Sequence, residues 1–190
     1  MTALFAVLTV VVGVFWQLIA PRPRGTSASP PGYTAVAGWD CTTTSDHGIE
    51  VHGRTEQWRT VAGGGWSQDG CRGTFQTLPM TGDADSGQYV QWWFTPAAGG
   101  QCRVDVYVPR GPAATDSGAT AARYAVLAGR SGAGYAEFMV NQAQNTGQWV
   151  NAGTFPLHGN EFTVRLTTRG TPEHPGDRTA VSALRVTCDK

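Results

Sequence analysis

The chain has 190 residues, and its 14 Lys plus Arg balance 14 Asp plus Glu, so the formal net charge is zero. That balance argues against a nucleic-acid binder, which normally carries a basic excess. With 25 Gly and 11 Pro interrupting helices, a helical bundle is disfavoured, and an aromatic content of 10% argues against a disordered chain.

Residues 3–20 read ALFAVLTVVVGVFWQLIA, an apolar run of 18 residues without a charge. At about 1.5 Å per residue such a run reaches about 27 Å, close to the thickness of a hydrocarbon core. A cleaved signal peptide would have basic residues before a shorter apolar run and a small-x-small site after it. Here only Met1 and Thr2 precede the run, and Pro21 follows at once. The expectation is an N-terminal transmembrane helix over 1–20. A Pro/Ser/Gly linker over 21–32 and one globular domain over 33–190 would follow it. Arg22 and Arg24 would hold that domain in the cytoplasm by the positive-inside rule. The cysteines argue for an oxidising space, and the reading follows them: a single-pass protein of the cell membrane with its domain on the extracellular side.

Cys41, Cys71, Cys102 and Cys188 are the four cysteines. None forms a C-x-x-C pair or has a His at zinc-ligand spacing, so a metal site is not supported. An even, dispersed set after a membrane segment reads as two disulfides. Three pairings are possible. Cys41–Cys71 with Cys102–Cys188 is favoured, because Cys188 ends the last strand, Cys102 begins a middle one, and antiparallel neighbours would bring them together.

Beyond Cys41 the chain reads as short period-two runs between turn residues. In order, the predicted strands are 48–53, 57–62, 73–78, 88–95, 102–108, 122–128, 135–141, 148–155, 160–167 and 179–187. In Arg103-Val104-Asp105-Val106-Tyr107-Val108 the valines take one face and the polar or amphipathic residues the other. Phe162, Val164 and Leu166 alternate in the same way. The fold class this implies is all-β, an antiparallel, jelly-roll-like β-sandwich.

Chemistry is sparse. No G-x-S-x-G and no Cys–His arrangement suggests a nucleophile, and the glycines before Trp66 lack the Lys and Ser/Thr of a phosphate loop. Asp83-Ala84-Asp85-Ser86-Gly87 has two carboxylates at a spacing that suits calcium, but no further ligand follows, so it reads as an Asx-rich turn. The expectation is a protein without enzymatic activity, metal or cofactor. The aromatic residues carry more. Trp92 and Trp93 adjoin in one strand and point to opposite faces. An exposed ring can stack on a sugar, with amides bonding its hydroxyls. The candidate ligand-binding residues are Trp92, Trp93, Tyr135, Asn141, Gln148 and Trp149, with Trp58 and Trp66 as further aromatic candidates.

Several motifs in the second half occur in a familiar order. They are Tyr124-Ala125-Val126, Phe138-Met139-Val140-Asn141-Gln142, Asn145-Thr146-Gly147-Gln148-Trp149 and Ala152-Gly153-Thr154-Phe155, closed by Ala180–Val186. In this order they resemble the golvesin C-terminal-like domain, also described as a xanthan-lyase-type carbohydrate-binding domain. The resemblance runs from about Gln57 to Val186 and departs from the family at Thr146, where Gly is usual, and in having four Cys. With its apolar leader the chain also resembles membrane-anchored, adhesin-like surface proteins of actinobacteria. The resemblance implies an extracellular binding module whose partner is a cell-wall or surface polysaccharide. A structural or protein–protein interaction module of the cell envelope is the alternative.

Overall fold

The computed structural model describes residues 32–97 and 100–189. The apolar run 3–20 and most of the linker lie outside them, and among the described residues no helix is long and apolar enough to cross a membrane.

Twelve strands follow in order: β1 (Tyr33–Gly38), β2 (His47–His52), β3 (Arg59–Val61), β4 (Phe75–Pro79), β5 (Tyr89–Phe94) and β6 (Gln101–Val108), then β7 (Ala119–Leu127), β8 (Gly134–Val140), β9 (Gln148–Pro156), β10 (Phe162–Pro172), β11 (Arg178–Val181) and β12 (Ala183–Cys188). One sheet has the order β1-β12-β6-β9, a second β2-β5-β10-β7-β8, and a small third β11-β4-β3. Every pairing is antiparallel. Without β2 and the small sheet, eight strands remain as two four-stranded layers, β1-β12-β6-β9 over β5-β10-β7-β8. Of these eight, only β7 and β8 are both consecutive and paired; every other connection crosses between the two layers. That is a jelly roll, which disposes of most sheet edges by crossing between two layers.

The core lies between the layers. Val104 and Val106 from β6 and Leu184 and Val186 from β12 meet Trp92, Phe94, Tyr124, Val164 and Leu166 of the second sheet, all essentially inaccessible. Period-two alternation put these side chains inward, and it leaves Arg103, Asp105 and Tyr107 on the outer face of the first sheet.

Two features differ from the expected strands. β1 lies where no strand is predicted, because Ala35, Val36, Ala37 and Gly38 show no alternation. The run 179–187 is two strands in two sheets, broken at the buried Ser182. The Ser182 carbonyl accepts the Trp39 N–H at 3.2 Å and its Oγ accepts the Trp66 N–H at 3.4 Å, so the break is anchored from both sides.

Both disulfides are those favoured by the strand argument. Cys102 and Cys188 sit opposite each other in the β6–β12 ladder, fully buried. Cys41–Cys71 closes a loop outside the sandwich. The acidic segment 83–87 is a turn: Asp85 Oδ1 accepts the Gly87 N–H at 2.9 Å, and Asp83 pairs with Arg123 at 2.7 Å.

Candidate functional site

The outer face of the first sheet is ordered in three rows, fixed by the strand register. The first row is Thr34, Thr187, Arg103 and Thr154, across β1, β12, β6 and β9. The second is Val36, Arg185, Asp105 and Asn151, and at the third level Gly38 faces Ala183 and Tyr107 faces Trp149. The face thus grades from hydroxyls, through a charged band, to aromatic rings.

At the aromatic end Trp66 completes the cluster from a loop. Its ring centroid stands 4.9 Å from Trp149, edge to face, and 5.2 Å from Tyr107; Tyr107 and Trp149 are 5.3 Å apart. Such tilted pairs are favoured by the ring quadrupoles and hold each other in place. All three rings are half-buried. Two local devices seat the Trp66 loop. Gly64 has φ +90, and a Cβ there would lie 1.9 Å from the Arg110 carbonyl oxygen, so only glycine lets the loop lie on the end of β6. The Cys41–Cys71 bridge then packs with Val36 and Ala183 beneath the rings.

Asp105 centres the charged band. It is buried, and its Oδ1 accepts the Asn151 amide at 2.9 Å. Its Oδ2 takes the Nε of both Arg185 and Arg103, each at 3.3 Å. Arg185 also lies over the Trp149 ring, 4.4 Å from its centroid. The charged band and the aromatic end are therefore joined through one guanidinium. The Trp149 indole N–H is shielded and has no acceptor among the described residues.

The residues expected from sequence fall in several places. Trp149 belongs to this face, and the exposed Gln148 adjoins it at the start of β9. Trp92 is 1% exposed and fills the core, so it offers no surface. Trp93 faces outward on the opposite sheet, but Arg130 covers its ring at 4.5 Å and leaves it 8% exposed. Arg130 is held there by Glu50 at 2.9 Å and Glu161 at 3.2 Å. Those carboxylates raise the Arg130 pKa, the Glu50 hydrogen bond most of all. Tyr135 lies on β8 of the second sheet. Its ring stacks on His158 at 4.2 Å, its hydroxyl donates to the Pro156 carbonyl at 2.6 Å, and burial pushes its pKa up to about 12. Asn141 ties a turn: its Oδ1 accepts the Gln144 N–H at 3.1 Å, and its carbonyl accepts the Asn145 amide at 2.7 Å. Trp58 is buried, with its indole bonded to Gln88 at 2.6 Å. Sequence reasoning did not name Tyr107, Asp105, Arg103, Arg185 or Asn151. The alternation in 103–108 did place three of them on one outward face; nothing local pointed to the other two.

The family model of the golvesin C-terminal domain matches residues 50–175. The chain belongs to that family. Trp66, Asp105, Tyr107, Asn151 and Trp149 lie inside the matched stretch, and Arg185 lies beyond it. Each disulfide joins a cysteine of the golvesin C-terminal domain match, Cys71 or Cys102, to one outside it, Cys41 or Cys188. Among solved structures, a Paenibacillus xanthan lyase aligns over 76% of this chain with a TM-score of 0.47 and 18% identity. The alignment spans 13% of that enzyme's chain. No curated protein matches.

Proposed function

We propose that this golvesin-type domain is a non-catalytic carbohydrate-binding module of the cell envelope, held to the membrane by residues 3–20 with its sandwich outside the cell. The observation that carries the reading is the outer face of the first sheet. Three half-buried aromatic rings there adjoin a band of guanidinium, carboxylate and amide groups. Sugars present apolar C–H faces and hydroxyl edges, and a surface pairing rings with fixed polar groups suits both. The membership of the golvesin family and the likeness of the motifs to a carbohydrate-binding domain support the same reading. Two cystines suit an oxidising compartment. Asp105 already takes three donors, which suits a carboxylate that shapes a surface better than one that shuttles protons.

The test is binding of the full, oxidised chain in detergent micelles to a panel of immobilised polysaccharides, alongside a Trp149→Ala variant. Saturable binding to a glycan is expected, with a loss of about tenfold or more in the variant while circular dichroism is unchanged. A folded protein that binds no glycan would remove this reading and favour a protein partner.

A further inference from the structure

We infer that the glycan taken by this face is acidic, with a carboxylate on the sugar received by Arg103 and Arg185; the inference rests on the carbohydrate-binding reading above. Both arginines reach Asp105 through Nε, at 3.3 Å each. A guanidinium held through Nε keeps the edge between its two Nη groups free for another acceptor. Among the described residues no acceptor bonds the Nη groups of either arginine. Their side chains remain 51% and 32% exposed, against 8% for Asp105. The carboxylate is thus taken up within the face, while the Nη donors of two part-exposed guanidiniums have no acceptor among the described residues.

The charge arithmetic agrees. Two guanidinium charges share one carboxylate, which leaves the band with one uncompensated positive charge. Other acidic groups lie near this face: Asp69 is bonded to the Trp66 indole at 3.0 Å, Asp40 accepts the Thr74 N–H at 2.7 Å beside the Cys41–Cys71 bridge, and Asp189 follows β12. Among the described residues none of them is in ion-pair distance of Arg103 or Arg185. Guanidinium N–H pairs match a planar carboxylate, and one bidentate contact would fix the sugar's orientation as well as its charge. The neighbouring rows supply the rest. Thr34, Thr187 and Thr154 offer hydroxyls in the row of Arg103 itself, and Tyr107 and Trp149 offer the part of their rings that stays exposed beside Arg185. With same-face residues about 7 Å apart along a strand, the three rows accommodate roughly two to three sugar units. The chain as a whole is neutral, so a polyanion would not be attracted to it at large.

The experiment uses the full, oxidised chain in detergent micelles. Its probes are polygalacturonate, alginate and hyaluronan, each beside its carboxyl-reduced, neutral form, with neutral glucans and mannans in the same series. Binding to at least one acidic polymer is expected, about tenfold or more weaker for its neutral form. Arg103→Gln should cost a comparable factor for the acidic polymer, whereas Arg59→Gln, on exposed β3 of the small sheet, should cost nothing. Equal binding to acidic and neutral forms overturns the inference, as do equal losses in the two variants. Binding only to neutral glucans or mannans, sensitive to Trp149→Ala, overturns the acidic ligand and leaves the carbohydrate reading standing. Binding to none of the polymers removes both.

Discussion

Arg185 covers the ring of Trp149 at 4.4 Å while its Nε holds Asp105. The two residues come from β12 and β9, which are not neighbours in the sheet, and their contact spans β6. This makes Trp149 a surface ring with a fixed pose. Trp92, by contrast, is a ring of the core. The two alanine substitutions should therefore behave differently. Trp92→Ala should cost about 3–5 kcal/mol by opening a cavity between the layers. Trp149→Ala should cost well below that, because its ring keeps solvent contact. Urea unfolding midpoints of the two variants check this, and a Trp149→Ala loss as large as that of Trp92→Ala would show that Trp149 serves the fold.

The two disulfides should respond differently to reductant. Cys102 and Cys188 are fully buried in the β6–β12 ladder, whereas Cys41 is only half-buried. Thiolate attack needs access to a sulfur. Mild thiol treatment of the native protein should open Cys41–Cys71 first, leaving Cys102–Cys188 intact until the domain unfolds. The separations of 30 and 86 residues correspond to about 3.6 and 4.6 kcal/mol of unfolded-chain constraint. Losing the shorter bridge should leave a folded sandwich whose tryptophan emission has changed, because the bridge seats the loop that carries Trp66. Alkylation followed by mass mapping reads the order directly, and simultaneous opening of both bridges would contradict it.

What the sequence disclosed follows from how local each feature is. Alternation is local, so the sandwich class, the inward valines of 103–108 and the outward Arg103, Asp105 and Tyr107 could be read in advance. The cystine pairing was readable because Cys102 and Cys188 flank strands that antiparallel packing brings together. Exposure of a tryptophan is not local. Trp93 does point outward, but Arg130, 37 residues later, covers it. Arg185 and Asn151 join the site only through a register linking β12, β6 and β9, and no spacing within any one strand encodes that. The break at Ser182 was hidden for the same reason: both sides of it read as β-strand, and only Trp39 and Trp66 show where the chain changes sheets.

Gln142 makes a further prediction. The side chain is buried and reaches β11. Its Nε2 donates to the Ala180 carbonyl at 3.0 Å and to the Tyr124 hydroxyl at 3.2 Å, and its Oε1 accepts the Ala180 N–H at 2.8 Å. It thereby serves as a strand neighbour for one residue of β11. Gln142→Leu keeps the volume but leaves both Ala180 backbone groups unpaired in the core, at about 1–3 kcal/mol each. The expected outcome is a drop of roughly 2–6 kcal/mol in unfolding free energy. An unchanged midpoint would mean that water replaces the amide.

Stability should be flat near neutrality and fall at both extremes of pH. Burial alone would raise the Glu50 carboxyl, but hydrogen bonds from Gln91 and Arg130 outweigh it and hold the group below its ordinary 4.5. A depressed carboxylate contributes stability above its unfolded value and loses it as pH falls through the folded one, so the acid limb begins below about pH 4.5. Tyr135 is shifted the other way, from its ordinary 10.0 to about 12 by burial. A raised phenol contributes fully below its unfolded value and loses that contribution as pH climbs through the folded one, so the alkaline limb runs from about 10 to about 12. Burial raises Tyr33 and Tyr124 as well, so they add to that limb. Urea midpoints measured across pH should show Glu50→Gln flattening the acid limb alone and Tyr135→Phe easing only part of the alkaline one. An acid limb as steep in Glu50→Gln as in the unaltered chain would assign it to other carboxylates.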